Sequence, residues 1–510
     1  MKTNQLKAGA VLSYVSMGLG YIISIVYTPI MLRLLGQSEF GLYNLVASVV
    51  SYLGLLSFGF SSAYMRFYTR YKVKDDQDNI AKLNGMFLII FSAIGVITIL
   101  TGAVLINNVE AIFGAKLVAS ELSTAKALLT IMMFNMALSF PGSVFNSHIV
   151  ANEKYIFQKS IQMIRVVVNP FMVLPVLFLG YGSIGMVVVT TILNVCVELI
   201  NVVFCFKKLK MRISFKRFDF SLMREMTVFS SFIFLHMIMD QVLWNVDKVI
   251  LGRIWGTTTV AVYALSAQLN TYYLSISTAV SSVFVPRVNT IVFSTDEKTS
   301  NELLTDLMIR VGRIQFIILS VIMLGLIFFG KPFIQMWAGE NYAGAYPIVL
   351  LLIIPVTLPL TQNLGIAIQR AKNMQKFLAV VNVFIALLNV IISIPLAKAY
   401  GGAGSALGTA FAMIVGNIII LNWYYHYRIG LNMKRFWKET IKLVPAMIPN
   451  VIVGILLYLL VDLYTIKYFV LSGFIFVVIY SFSMWRFGMN KSEKDLIINP
   501  INRIWLRIKK

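Results

Sequence analysis

A long apolar segment, residues 227–250, carries four side chains that can take up or lose a proton. With 100° of rotation per residue, an α-helix would place His236, Asp240, Asp247 and Lys248 on one half of its circumference. At about 1.5 Å per residue, His236 and Asp240 lie near the middle of a bilayer. A carboxylate at that depth costs roughly 3 kcal/mol, so Asp240 is expected to face a cavity or a partner. Since His236 lies four residues earlier, the two side chains could form a proton-binding pair or a structural one.

Four charged residues are expected near the ends of apolar segments, where charge is less costly. Asp247 and Lys248 are expected near the outer surface, where the simplest interpretation is an interfacial pair with Lys248 extending towards the head groups. Arg66 and Arg287 are expected at the cytoplasmic ends of two other helices. These arginines could bind an anionic head group, or could only mark the topology of the chain.

Hydroxyl and amide side chains form a row along the second apolar segment and another along the eighth. The segments correspond at a constant offset of 220 residues, which aligns Gly36 with Gly256 and Tyr43 with Tyr263 and indicates an internal duplication. For any one Ser or Thr, helix packing is the simpler explanation. Together with polar faces on the first and seventh segments, the rows predict a hydrophilic cleft between two related halves. They consist of Asn44, Ser48 and Ser51 in the second segment and Gln268, Thr271 and Ser275 in the eighth.

Residues suited to covalent chemistry are scattered along the chain. The three histidines share no metal-binding spacing, and the sequence has no HExxH motif and no GxxxxGK[ST] loop. Cys196 and Cys205 would lie on opposite sides of one helix, which disfavours a disulfide or a metal site between them. We therefore expect no catalytic residue, no cofactor and no metal, and a protein that is not an enzyme.

Composition indicates a membrane protein. Of the 510 residues, 58% are apolar and 13% are charged, and the mean hydropathy is +0.81, which is more apolar surface than soluble domains can bury. Fourteen apolar segments are long enough to span a bilayer. Lys and Arg concentrate in every second loop, which predicts a multi-pass protein of the cytoplasmic membrane with both termini in the cytoplasm. The net charge of +23 therefore reports topology and attraction to membrane lipid, and nucleic-acid binding is not expected.

The duplication predicts an all-α protein with two six-helix lobes related by a pseudo-twofold axis along the membrane normal. The N-terminal lobe is expected over residues 1–206 and the C-terminal lobe over 226–442, joined by a basic cytoplasmic linker at 207–225. Helices 13 and 14, at 443–487, form an appended pair, and a basic cytoplasmic tail follows at 488–510.

Three stretches resemble a known superfamily. They are LRLLGQSEFGLYNLV after the first helix, FGFSSAYMRFYTRY at the end of the second, and NVDKVILGRIWGTTTVAVYALSAQL from the seventh into the eighth. In these stretches and in its fourteen-helix count, the chain resembles the multidrug/oligosaccharidyl-lipid/polysaccharide (MOP) exporters, and within them the polysaccharide-type (Wzx-like) flippases. The resemblance implies a MATE-like fold with a V-shaped cleft. It also implies alternating-access transport of polyprenyl-diphosphate-linked oligosaccharide repeat units across the cytoplasmic membrane, for capsule, O-antigen or other surface polysaccharide.

The resemblance further implies cationic residues for the diphosphate, and Arg66, Arg287 and Lys248 are the positions that could match. Implied partners are the lipid-linked oligosaccharide, a glycan polymerase and glycosyltransferases, while coupling to H⁺ or Na⁺ stays open. Two other functions also stay open. A cation-coupled multidrug exporter of the same superfamily would use acidic residues such as Asp240 and Asp247. A membrane-embedded glycan polymerase or ligase would be expected to have a long outer loop with Arg or His, which the sequence lacks.

Overall fold

The computed structural model of the protein describes residues 5–113, 116–215, 219–496 and 498, and in these ranges the chain forms helices and short connections. Helices α1 to α9 are Gln5–Leu35, Gln37–Leu53, Phe60–Val73, Gln77–Asn107, Val109–Phe113, Ala119–Ala151, Tyr155–Phe178, Gly182–Lys207 and Phe220–Trp255. Helices α10 to α19 are Thr257–Ser282, Val285–Ser294, Glu297–Ala338, Ala345–Thr361, Leu364–Ala371, Gln375–Met413, Leu421–Tyr424, Met433–Ile441, Ile448–Leu460 and Ile466–Ser483.

The described chain has enough long apolar helices for the predicted number of membrane spans. Eleven helices are long and apolar enough to cross a membrane, and the count rises to thirteen when two bent pairs are each taken as one span. The pairs are α10 with α11, bent by 40°, and α13 with α14, bent by 45°. The stretch Lys376–Ile429 is 54 residues long, about twice what a bilayer requires, and Gly401 interrupts it with φ 57°. Counted as two spans, it brings the number to the predicted fourteen, and the all-α membrane fold is confirmed.

Aspartate side chains fix where several helices begin. At the start of α4 the Asp76 carboxylate accepts the backbone N–H of Asn79 at 3.0 Å, and this hydrogen bond holds the pKa of the exposed carboxyl below its usual range. Asp296 caps α12 in the same way through the N–H of Thr299, and Asp219 caps α9. Such caps satisfy backbone donors that have no partner inside the helix, so each helix has a defined first turn.

The second span is broken inside its apolar segment. A 3₁₀ turn follows α2, and α3 begins after Phe58 and Gly59, both of which have positive φ. A Cβ at Gly59 would lie 2.7 Å from Cγ2 of Ile233 on α9, so this position requires glycine for its backbone conformation and for the close approach of α9. The break therefore separates α3, which carries Arg66, from the polar row that begins at Asn44 on α2.

The helices pack into two compact units. The first unit contains residues 1–264 and 394–405, and the second contains residues 265–393 and 406–510. An aromatic core joins α3 to α4 in the first unit, where the rings of Tyr64 and Phe87 meet edge to face at 5.1 Å. In the second unit, Phe476 and its neighbours pack α19 against α12. The predicted lobe boundaries were drawn from the internal duplication, whereas these two units are defined by contacts between helices. The lobe boundaries therefore stay predictions.

Part of the predicted linker at 207–225 packs along α4, and residues 220–225 form the start of α9. Asn84 Nδ2 donates to the carbonyl of Arg212 at 2.8 Å, and the N–H of Ser214 donates to the carbonyl of Ala81 at 2.9 Å. These bonds hold the start of the linker against the first unit. Residues 216–218 of the linker and residues 497 and 499–510 of the predicted basic tail lie outside the described residues.

Candidate functional site

The pair predicted at the middle of the seventh span forms on α9. His236 Nδ1 and Asp240 Oδ2 lie 3.1 Å apart, and the two side chains are 44% and 57% exposed. The first unit therefore leaves both groups uncovered within an apolar span. Ionisable side chains are tolerated at such a position when they border a water-filled cavity or pathway.

Asp247, which the sequence predicts as part of an interfacial pair with Lys248, is buried among other side chains. Its side chain is 1% exposed, and Tyr263 on α10 donates its hydroxyl hydrogen to Asp247 Oδ2 at 2.6 Å. Lys248 beside it is half-buried. The Asp247 carboxylate thus links α9 to α10 inside the first unit, in contrast to the open Asp240 carboxylate.

The polar row of α2 is divided between packing and an open cavity. Ser48 is buried and donates to the carbonyl of Leu45 at 2.7 Å, which is the packing role expected of an isolated membrane serine. Asn44 donates to its own helix at 2.9 Å. Ser51 reaches Gln241 Oε1 on α9 at 2.9 Å and also lines a cavity.

That cavity lies inside the first unit, between α2, α6, α7 and α8, and has a volume of about 430 Å³. This volume falls in the range of small-ligand sites. Its walls combine apolar side chains with hydroxyl, amide and charged groups. The polar lining includes Ser51, Asn135, Ser139, Arg165, Asn194 and Glu198.

Two opposite charges line this cavity although both lie within spans. Glu198 Oε2 and Asn194 Oδ1 are fully buried and have no hydrogen-bond partner in the described chain. Gly142 on α6 lets the Glu198 carboxyl approach the helix backbone, since any Cβ at that position would collide with the carboxyl oxygen. Arg165 on α7 faces the same space but, among the described residues, makes no ion pair with Glu198. With hydroxyl, amide and charged groups in its lining, the cavity is suited to water or to a ligand rich in hydroxyl groups.

The sequence-based prediction missed Arg165 and Glu198. The signal was available, because each is a charged residue inside a predicted apolar span, which is rare and functionally informative.

In the second unit, the polar row of α10 is partly exposed. Thr271 Oγ1 donates to the carbonyl of Ala267 at 2.8 Å, and Ser275 Oγ donates to the carbonyl of Thr271 at 2.7 Å. Gln268 Nε2 donates to the hydroxyl of Tyr272 at 2.6 Å. Because hydroxyl oxygens that donate to their own helix can still accept, the row keeps capacity for a polar ligand.

The two predicted arginines are both exposed, in different units. The Arg66 guanidinium lies over the ring of Phe229, 4.6 Å from its centroid, which keeps it against α9. Arg287 lies on α11. A third arginine, Arg370 on α14, lines a second cavity of about 530 Å³ in the second unit, and the sequence-based prediction missed it. In the described chain, no group of three or more His, Cys, Asp or Glu side chains could hold a metal ion.

These features define a class of protein: a multi-pass helical membrane transporter whose spans present polar cavities and uncovered charges. Solved structures of two transporters have this fold. Lipid II flippase MurJ in its inward closed conformation matches with a TM-score of 0.72 over 93% of this chain and 97% of that one, at 17% identity. An inward-facing MATE multidrug transporter of the MOP superfamily matches with a TM-score of 0.65 over 84% of this chain and 99% of that one, at 13% identity.

The family follows from the sequence comparisons. The family model described as polysaccharide biosynthesis protein matches residues 6–292, and the chain belongs to that family. A protein of Shigella flexneri named as a putative O-antigen transporter is 23% identical over 405 residues, which cover 77% of this chain and 91% of that protein. The predicted resemblance to the MOP superfamily is confirmed.

Proposed function

We propose that the protein translocates oligosaccharide repeat units linked to polyprenyl diphosphate across the cytoplasmic membrane by alternating access. Its family and the O-antigen transporter of Shigella flexneri support a role in surface polysaccharide synthesis. The MurJ likeness supports a fold that can carry a lipid-linked sugar. Both termini are proposed to lie in the cytoplasm, and the glycosyltransferases and glycan polymerase of the same pathway are the proposed partners.

The observation that carries this proposal is the polar cavity of the first unit. A cavity within apolar spans whose lining offers hydroxyl groups, amides, a carboxylate and a guanidinium resembles a sugar site, because sugar hydroxyls both donate and accept. An apolar drug would leave this polar lining without hydrogen-bond partners.

The membrane potential favours outward movement of the proposed cargo. When the cytoplasmic side is negative, moving one negative charge outward releases about 2.3 kcal/mol per 100 mV, so a diphosphate is driven outward without a coupled ion. The polyprenyl tail can remain in the lipid during transport.

A cation-coupled multidrug exporter of the same superfamily is the second candidate. It is favoured by the exposed Asp240 carboxylate, which lies within a span and pairs with His236. In that function, Asp240 would bind the coupling ion or the organic cation. We propose instead that it lines the sugar pathway.

Reconstituted protein tests the two candidates. Proteoliposomes containing wild type, Arg66→Ala, Asp240→Asn or a control variant are assayed for flipping of a lipid-diphosphate oligosaccharide. Thr130→Val is a suitable control because Thr130 is exposed on α6 and donates only to its own helix, at 2.8 Å.

We expect wild type and Thr130→Val to flip the substrate, and Arg66→Ala to flip it more slowly. Loss in Asp240→Asn would assign that carboxylate to the pathway. Absence of flipping by wild type, together with ion-driven efflux of an organic cation, would replace the proposal with the drug-exporter function.

A further inference from the structure

The second unit contains a cavity where two spans break. Helix α10 ends at Ser282 and α11 continues after a 40° bend, while α13 and α14 meet at a 45° bend. The cavity of about 530 Å³ lies between α10, α11 and α14. Its polar lining consists of Thr278, Ser281, Ser282, Asn289, Asn363 and Arg370.

The lining is positively charged and rich in donors. Arg370 is exposed, and the described residues offer its guanidinium no hydrogen bond, ion pair or ring contact. Among the residues that the structure describes, no Asp or Glu lines the cavity. The guanidinium has five N–H donors and no anionic partner, and neutral donors surround it. Such a lining is suited to bind an anion with several oxygen atoms.

Two of the hydroxyl groups make only long hydrogen bonds and could donate to a ligand instead. The Thr278 hydroxyl donates to the carbonyl of Leu274 at 3.2 Å, and the Ser281 hydroxyl donates to the carbonyl of Thr278 at 3.2 Å. Ordinary O–H to O bonds are about 2.5–3.0 Å long, so these hydroxyl groups lose little by donating elsewhere. Asn363 also approaches Ser281, at 3.3 Å, which places an amide donor beside them.

The cavity uses only one face of α11. Val285, Asn289 and Phe293 line it, and they recur every fourth residue. Arg287 is two residues from Val285, which is about 200° around the helix. The arginine that the sequence suggests for this end of the molecule therefore points away from the cavity, and Arg370 supplies the charge instead.

We propose that this cavity binds the phosphate groups of the lipid-linked substrate, with Arg370 as their bidentate partner and the Ser281, Asn289 and Asn363 side chains as additional donors. The inference rests on the proposed function and identifies the place for the anionic part of that cargo. Arg–phosphate pairs are charge-assisted and planar, which favours a diphosphate over a neutral head group.

Two anionic molecules share this chemistry, the diphosphate of the cargo and the phosphate of an ordinary anionic lipid. The test therefore uses two probes with the full-length protein in neutral phosphatidylcholine nanodiscs. One probe is undecaprenyl diphosphate, and the other is phosphatidylglycerol. Binding of each is measured by native mass spectrometry across a concentration series.

Arg370→Gln, Arg370→Lys and Asn289→Leu are compared with Arg310→Gln. Arg310 is a matched control, since it is an exposed arginine of α12 in the same unit and lies outside the cavity lining. A thermal melt confirms that each variant is folded. Asn289→Leu keeps the test decisive if Arg370→Gln does not fold, because it removes a donor without removing a charge.

We expect Arg370→Gln to weaken undecaprenyl diphosphate binding at least about tenfold, since a charge-assisted hydrogen bond is lost. Arg370→Lys should retain part of the affinity, Asn289→Leu should lower it by a smaller factor, and Arg310→Gln should match wild type. Phosphatidylglycerol binding should change little in any variant.

Unchanged diphosphate affinity in both Arg370→Gln and Asn289→Leu would overturn the inference, as would a loss confined to phosphatidylglycerol. In either case, flipping by the wild type would leave the proposed function standing. A wild-type protein that neither binds undecaprenyl diphosphate nor flips the linked oligosaccharide would overturn the proposed function itself.

Discussion

A buried ion pair in the second unit leads to a sharp stability prediction. Arg313 on α12 and Glu493, beyond the last span, are each 4% exposed. Arg313 Nε lies 2.6 Å from Glu493 Oε1, and its Nη2 lies 3.0 Å from Oε2. The same guanidinium donates to the carbonyls of Glu439 at 2.6 Å and Gly488 at 2.8 Å. One side chain therefore joins α12, α17 and the segment after α19.

Local structure holds the Glu493 carboxylate in place for this contact. Its Oε2 accepts the N–H of Asn490 at 2.9 Å, and Asn490 Oδ1 accepts the N–H of Glu493 at 2.9 Å. This reciprocal pattern is a capping box at the start of a short helix. The carboxylate is thus preorganised and buried, and it depends on Arg313 for its neutralising charge.

Arg313→Met should lower the free energy of unfolding by about 3–5 kcal/mol, because it leaves a buried carboxylate without its charge partner. Adding Glu493→Leu removes that carboxylate, so the double variant should be more stable than Arg313→Met alone. The ion pair of Arg435 and Asp306 provides the comparison. Its N–O distance is 2.8 Å but its side chains are 53% and 54% exposed. Arg435→Gln should therefore cost only about 0.2–1 kcal/mol.

Thermal unfolding in detergent, followed by size-exclusion chromatography with fluorescence detection, provides the measurement. The midpoint should fall at least about three times as far in Arg313→Met as in Arg435→Gln. Equal shifts in the two variants would refute the argument from burial. A double variant less stable than Arg313→Met would refute the argument that the orphaned carboxylate is the main cost.

Three further changes test single contacts. Tyr263→Phe removes the donor to buried Asp247 and should cost about 1–3 kcal/mol in the same thermal assay. Gly142→Leu should displace the Glu198 carboxyl and close part of the cavity, which would slow flipping of the lipid-linked oligosaccharide while the protein stays folded. Gly401→Ala requires an L side chain at φ 57° and should destabilise the protein by about 1 kcal/mol or more.

Matched controls exist for these three changes. Tyr458→Phe alters an exposed tyrosine of α18 and should leave the midpoint unchanged. Gly18→Ala and Gly473→Ala add a methyl group at helical positions with open space around them. If a control changed the measured quantity as much as its test variant, the corresponding contact would not be the cause.

Part of the candidate site could be predicted from spacing alone. His236 and Asp240 are four residues apart, a separation that brings side chains together on any α-helix, and their atoms lie 3.1 Å apart. The approximate number of spans could also be predicted from the sequence, because the hydropathy of each segment is summed without reference to the others.

Other features depended on a neighbour that the sequence does not identify. Asp247 was expected at an interface, but Tyr263 from the next helix covers it. Glu198 and Arg165 meet one cavity only because α7 and α8 pack beside α6. A helical wheel gives the direction in which a side chain points from the helix axis. It contains no information on which residues of neighbouring helices that side chain meets.

The sequence by itself determined the membrane class, the long apolar segments and the polar rows along them, because the cost of placing a residue in lipid is local and additive along a segment. Only the tertiary structure decided which charges are covered, where spans break at Gly59 and Gly401, and where the two polar cavities remain. These outcomes depend on close packing between helices distant in the chain, in which a single side chain can fill a space or leave it open.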